Sequence, residues 1–278
     1  MRLLCAITIL VATLLKAQAG DSATNEIPFE CREGLLWIKA SVPQSAQPLN
    51  FLLDTNTDAS VINRSTADRL KLKPGSAVNV RGVSTTLIGY KLRGVSVRAG
   101  DVPLPADYIA VDLSKLSFSC QQPVDGLLGA NFFCDRAIQL DFKEQKLRIL
   151  KPNQVTTSGE ILPLQLRPCG MRVPIAVNGQ TQQWVRLDTG CATPLQWVTS
   201  RIRATDCNPK VAIGLAELSI PQAQTTVEIG HQKFDSVPTG LHEQPIFAGE
   251  AGLLGNGLLS RFSRVTIDAK SRRLILEP

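Results

Sequence analysis

Histidine is nearly absent from this 278-residue chain, which has only His231 and His242, and none of its seven cysteines forms a Cys-x-x-C pair. A zinc site typically draws on such donors at close spacing, so the sequence argues against zinc coordination, and no metal or other cofactor is expected. Nothing in the pattern supports a Cys-His or Ser-His nucleophilic site, and each histidine reads as a surface residue. After the first fifteen residues no apolar run is long enough to span a bilayer. A basic cluster is missing too. The nearest approach, Arg261, Arg264, Lys270, Arg272 and Arg273, is broken by apolar residues and reads as a solvated strand face, which argues against nucleic acid as a partner.

The N-terminus, by contrast, is strongly patterned. Arg2 supplies a positive start, Leu3 to Leu15 is almost wholly apolar, and Ala17-Gln18-Ala19 offers a small-x-small cleavage site. Residues 1–19 therefore read as a signal peptide, and the chain as exported, periplasmic or secreted. Its removal takes Arg2 and Lys16, lowering the net charge of +6 by two. No cysteine follows the cleavage site directly, which argues against a lipid anchor. Cys5 leaves with the signal, and Cys31, Cys120, Cys134, Cys169, Cys191 and Cys207 remain as an even set able to pair in an oxidising compartment.

The remainder reads as all-β, and it carries one pattern twice. Leu52-Leu53-Asp54-Thr55-Asn56-Thr57 is an apolar run ending abruptly in Asp-Thr and turn-forming residues, and Arg186-Leu187-Asp188-Thr189-Gly190-Cys191 repeats it. Such a run reads as a strand that delivers a carboxylate to a tight loop. Each is followed by Gly-Leu-Leu-Gly, at Gly126–Gly129 and Gly252–Gly255. The separations are 72 residues from Asp54 to Gly126 and 64 from Asp188 to Gly252, so the second copy is shorter between its motifs. The closing hairpins correspond as well: Leu140-Asp141-Phe142-Lys143 with Ile267-Asp268-Ala269-Lys270.

Strands are expected from Leu35 to Val42 and from Leu49 to Leu53, the latter ending at Asp54, with a turn across Pro43 to Pro48. A short helix is expected at 65–70, capped by Asn63 or Ser65. Val78 to Val97 alternates around Gly82, Gly89 and Gly94 and predicts bent hairpins, while Asn178-Gly179 predicts a two-residue hairpin turn. Trp37, Trp184 and Trp197 read as core. The halves are placed at 28–152 and 161–278, with the polar stretch 153–160 as linker.

The doubled Asp-Thr loops and Gly-Leu-Leu-Gly segments resemble the pepsin/retropepsin-type aspartic proteases, in the style of bacterial exported proteins with two retropepsin-like halves. The resemblance implies two homologous β-barrel-like lobes related by a pseudo-twofold axis. It implies that Asp54 and Asp188 are a catalytic dyad sharing a proton, since two adjoining carboxylates cannot both ionise cheaply. Thr55 and Thr189 then brace the loops across the axis. Asn56 and Gly190 stand where loop amides meet the carboxylates, and Gly126 and Gly252 belong to segments beneath the loops. The Val78 to Val97 hairpin, with Gly89 and Tyr90, is the flap candidate; the matching region, Ala212 to Ile220, is shorter. Cys191 is expected to pair with Cys207. A monomer acting on peptide or unfolded protein follows.

Two departures stand out. Asn56 replaces the family's glycine; asparagine tolerates left-handed geometry, and its amide is able to reach a carboxylate. Arg186 lies by strand alternation on the side of Asp188, where a cation favours ionised carboxylates, unless strand twist carries it to solvent. The rival to a peptidase is a silent binding module on the same fold.

Overall fold

The computed structural model describes residues 25–82, 85–167, 170–198, 210–213, 216–247 and 249–278. The expected signal segment 1–19, Cys169 and Cys207 lie outside the described residues. The described chain is all-β with a few short helices, among them Arg64–Arg69, Ser114–Ser119 and Asn256–Leu259. No helix among the described residues is long and apolar enough to cross a membrane.

Each Asp-Thr motif ends a strand set between the same kinds of neighbour. Ser45–Leu53 runs antiparallel to Leu35–Val42 and parallel to Gly126–Leu128, placing Leu53 beside Leu128. Gly126–Leu128 is antiparallel to Val61–Asn63, which is parallel to Tyr108–Val111, itself antiparallel to Thr85–Leu92. Further along the chain, Gln183–Asp188 runs antiparallel to Gly170–Val177 and parallel to Gly252–Gly255. Gly252–Gly255 is antiparallel to Leu195–Val198, which is parallel to Gln232–His242, itself antiparallel to Gln222–Ile229. The second series closes into a six-stranded barrel, because Gln222–Ile229 pairs with Gly170–Val177. In both series a parallel Gly-Leu-Leu strand pins the end of the aspartate strand while the loop after the aspartate doubles back on its other side.

A separate six-stranded sheet joins the closing hairpins. Ala137–Asp141 lies antiparallel to Arg264–Asp268, with Ile138 opposite Ile267, Leu140 opposite Val265 and Gln139 opposite Thr266. The first two pairs exchange when the strands are interchanged, so Gln139 and Thr266 mark the midpoint; there Gln139 Nε2 donates to Thr266 Oγ1 at 3.2 Å. Ile138, Leu140, Leu147, Val265, Ile267 and Leu274 are fully buried, each worth about 1.5–3 kcal/mol of apolar burial.

Several local expectations change. The turn after Val42 is short, and the next strand already starts at Ser45, with Pro48 inside it. Its pairing shifts register between Ala40 and Val42, which accommodates a residue without an N–H. The first helix spans Arg64–Arg69, and Asn63 precedes it without capping it. Asn63 instead donates to Val124 O at 3.1 Å and accepts from Leu113 N at 3.2 Å. At the expected hairpin turn both Asn178 and Gly179 have positive φ, 51° and 68°. Trp37 and Trp197 are buried, whereas Trp184 is half-buried at the outer end of its strand.

Candidate active site

The two aspartate loops meet. Thr55 N–H donates to Thr189 Oγ1 at 3.0 Å, and Thr189 N–H donates to Thr55 Oγ1 at 3.1 Å. Each hydroxyl in turn donates to the opposite aspartate strand: Thr55 Oγ1 to Leu187 O at 2.8 Å and Thr189 Oγ1 to Leu53 O at 3.0 Å. Every bond one threonine makes, the other returns, and both side chains are fully buried. Buried hydroxyls with donor and acceptor both satisfied fix geometry tightly, since any separation leaves polar groups unpaired.

This brace brings the Asp54 carboxylate against Gly190. A Cβ at position 190 would lie 2.7 Å from Asp54 Cγ and 2.8 Å from its Oδ1. Neither Gly190 nor Asn56 has a positive φ. The tolerance of asparagine for left-handed backbone is therefore not called on at position 56, and glycine serves the second loop through the close approach of Asp54.

The carboxylates differ in their partners. Asp54 Oδ1 accepts from the N–H groups of Asn56 at 3.0 Å and Thr57 at 3.2 Å, and its Oδ2 accepts from Thr57 Oγ1 at 2.6 Å. Asp188 Oδ1 accepts from Gly190 N at 2.9 Å, and its Oδ2 accepts from the Asn56 side chain, Nδ2, at 3.0 Å. Burial pushes both carboxyls above the ordinary range. For Asp188, burial and then the charge of Asp54 push it up to about 8, against the lowering influence of Gly190 N–H, Arg186 and Asn56. For Asp54, burial outweighs the Thr57 hydroxyl and the two loop amides. Two adjoining carboxyls in this condition titrate as a pair.

Arg186 does face the site, as strand alternation requires. It is buried, and its Nη1 donates to Asn56 Oδ1 at 3.0 Å. Its Nε donates to Glu250 Oε2 at 2.8 Å and its Nη2 to Glu250 Oε1 at 2.7 Å, while the guanidinium lies 4.0 Å over the Phe247 ring. Arg172, opposite Arg186 on the neighbouring strand, also donates to Glu250 Oε1, from Nε at 2.7 Å. Glu250, Arg172 and Phe247 escaped sequence reasoning. The only available signal was an acid immediately before Ala251-Gly252, and its arginine partners are far away in sequence.

The supporting residues fall into place with some reassignment. Gly126 and Gly252 pack against the strands that follow the loops: added Cβ atoms would lie 2.5 Å from Val61 O and 1.9 Å from Gln196 O. The glycines directly beneath the loops are Gly129, 2.7 Å from Thr57 O by the same measure, and Gly255, 2.2 Å from Thr193 O. They are the closing glycines of the two Gly-Leu-Leu-Gly segments. The expected hairpin is present as Ala77–Gly82 and Thr85–Leu92. Gly89 and Tyr90, opposite Val78 and Ala77, sit at its base, and Arg64 covers the Tyr90 ring at 4.6 Å. Its counterpart, Lys210–Ile213 with Ala216–Ser219, has shorter strands. At the expected staple, the Cys191 thiol is free and buried, and its Sγ lies 3.1 Å from Thr193 Oγ1, a hydrogen bond within its own loop. Cys207 is outside the described residues.

An all-β chain with two threonine-braced aspartate loops is consistent with an aspartic protease fold. A family model described as Aspartyl protease matches residues 38–132, which include Asp54-Thr55-Asn56 and Gly126–Gly129 and end before the second loop. That match supports a retropepsin-like aspartyl protease domain in this part of the chain. Comparison with curated proteins returned no match.

Proposed function

We propose that the chain is an exported, monomeric aspartic endopeptidase of two homologous lobes, 28–152 and 161–278, related by a pseudo-twofold axis and joined by 153–160. The observation that carries this reading is the reciprocal Thr55–Thr189 brace, which sets the Asp54 carboxylate against Gly190 of the second loop. The matching order of strand pairings and the exchangeable register of Ala137–Asp141 with Arg264–Asp268 support the two-lobe arrangement. The signal-like residues 1–19 support export to the periplasm or beyond.

Asp54 and Asp188 work as one unit sharing a proton. Asp54 accepts from three protein donors and Asp188 from two, which favours Asp54 as the ionised member. Asp54 takes a proton from the attacking water while protonated Asp188 donates to the scissile carbonyl oxygen. The resulting tetrahedral diol collapses as the pair returns a proton to the departing amine. No covalent acyl intermediate forms. The substrate is an extended peptide or unfolded protein, held by main-chain hydrogen bonds as an added strand.

The test is cleavage of an unfolded protein between mildly acidic and neutral pH, with Asp54→Ala and Asp188→Ala abolishing it. No cleavage at any such pH, or full activity in either variant, defeats the assignment. One observation favours the alternative of a silent peptide-binding module: the Asn56 amide already occupies Asp188 Oδ2. A transition-state-analogue peptide separates them, since tight binding that requires both aspartates belongs to the enzyme, and tight binding of a plain peptide without turnover belongs to the module.

A further inference from the structure

Thr57 and Cys191 hold the same place in their loops, three residues after the aspartate, but do different things. Thr57 gives its hydroxyl to Asp54 Oδ2 at 2.6 Å. Cys191 turns its thiol to Thr193, so the second loop supplies Asp188 with its Gly190 N–H and no hydroxyl. The missing donor arrives from the first loop, through Asn56 Nδ2 on Asp188 Oδ2 at 3.0 Å. The residue that breaks the Asp-Thr-Gly pattern thus fills the place left by the absent hydroxyl.

Arg186 decides which end of the Asn56 amide faces the carboxylate. A guanidinium is donor-only, so the amide oxygen must turn to Arg186 Nη1, and the nitrogen is left for Asp188. Arg186 itself is held by Glu250, by Arg172 behind that carboxylate, and by the Phe247 face. The titratable and charged groups around Asp188 are Asp54 across the loops, Arg186 on its own strand, the Cys191 thiol in its own loop, and the Glu250–Arg172 pair behind Arg186.

We infer that Arg186 is a positioning residue that acts through Asn56, and that the Asn56 amide replaces the hydroxyl Cys191 lacks, keeping both oxygens of Asp188 hydrogen-bonded. This inference rests on the dyad reading above. It makes position 56 and position 191 a compensating pair, so their substitutions are coupled.

The test uses the full chain and its Asn56→Gly, Cys191→Thr and Asn56→Gly/Cys191→Thr variants, with Asp188 followed by carbon-13 NMR pH titration and, in parallel, by pH–rate profile on an unfolded protein. Loss of one charge-assisted hydrogen bond is expected to raise the Asp188 titration in Asn56→Gly by about one pH unit. The double variant returns most of the way to the natural chain. Arg186→Met raises the same titration by more in the natural chain than in the Asn56→Gly background, a coupling that a purely structural role does not produce. An unmoved titration in Asn56→Gly, or a double variant no closer to the natural chain, overturns the inference. The NMR titration is read whether or not peptides are cut, so the expected shifts without any cleavage support the relay while rejecting the peptidase reading.

Discussion

Asp54 and Gly190 are in contact across the two loops, close enough that a single added methyl at 190 would fall 2.7 Å from the Asp54 carboxylate carbon. Gly190→Ala must therefore push that carboxylate away or spread the loops. The backbone at 190 has no positive φ, so the substitution carries no conformational penalty and its effect is confined to geometry. On the proposed function, kcat/KM on an unfolded protein is expected to fall by about a hundredfold, the scale of a misplacement near 1 Å, and the melting temperature is expected to fall as well, since overpacking a buried site costs about 1–3 kcal/mol. An unaltered rate would mean that the carboxylate positions do not matter to the reaction.

Thr55→Val removes a buried hydroxyl that donates to Leu187 O and accepts from Thr189 N, without changing the side-chain volume much. Both partners are left unsatisfied in a dry site, and the expected cost is about 2–4 kcal/mol in urea denaturation. Thr189→Val is expected to cost a similar amount, because Leu53 O and Thr55 N lose their partner in the same way. The double variant should cost less than the sum, since each single change already opens the shared brace. Additive losses would show that the two loops are held together by something else.

The part of this site carried by local pattern was legible in the sequence. Apolar strands running into Asp-Thr located both carboxylates, and Asn178-Gly179 located its turn. What escaped depends on pairing between distant segments. Glu250 is a lone acid until Gly170–Val177 and Gln183–Asp188 lie side by side and present Arg172 and Arg186 to it. Asn63 looked like a helix cap because nothing nearby revealed that Val124 and Leu113 would claim its side chain. The glycines beneath the loops, Gly129 and Gly255, were visible as motif letters, but their close approach to Thr57 and Thr193 exists only after the loops fold back.

The raised carboxyls set the pH dependence of stability. Burial and the Asp54 charge push Asp188 up to about 8 in the folded chain, as one member of a pair that titrates together, whereas an exposed aspartate releases its proton near 4. Between those values the folded state binds more protons, so this contribution is fully present below about pH 4 and is lost as the pH rises to about 8. Asp54, also raised, acts with the same sign. Asp141 and Asp268 are lowered, by loop amides and by Arg148 and Arg273 once their burial is overcome, and their contribution is lost as the pH falls below about 4. Urea midpoints are thus expected to decline from mildly acidic toward alkaline pH, and Asp188→Asn should flatten that decline. A slope unchanged in Asp188→Asn would place the raised group elsewhere.

Cys191 offers a check that needs no activity. Burial, reinforced by the Asp188 charge, pushes its thiol up to about 12, so almost no thiolate exists at neutral pH. Cys31 is exposed. Since alkylation follows thiolate fraction and access, iodoacetamide under native conditions should label Cys31 well before Cys191, and both equally in denaturant. Peptide mass spectrometry reads the order directly, and early labelling of Cys191 would mean that its loop opens.

Glu250 is the keystone of the charge cluster behind the two aspartate loops. Its side chain is essentially inaccessible, and it is shared by two arginines that are themselves about nine-tenths buried, with Nη2 contacts of 2.6 Å from Arg172 and 2.7 Å from Arg186. Glu250→Gln leaves two guanidinium groups facing a neutral amide, and stripping one partner from a buried ion cluster costs about 3–5 kcal/mol. The loss should register twice, as a lower urea midpoint and as a lower kcat, because Arg186 is no longer anchored against Phe247 and Asn56. Adding Arg172→Met to Glu250→Gln removes one of the uncompensated charges, so the double variant is expected to regain part of the stability that the single variant loses. If it is instead less stable still, Arg172 contributes through packing, and charge balance is not what holds this wall of the site.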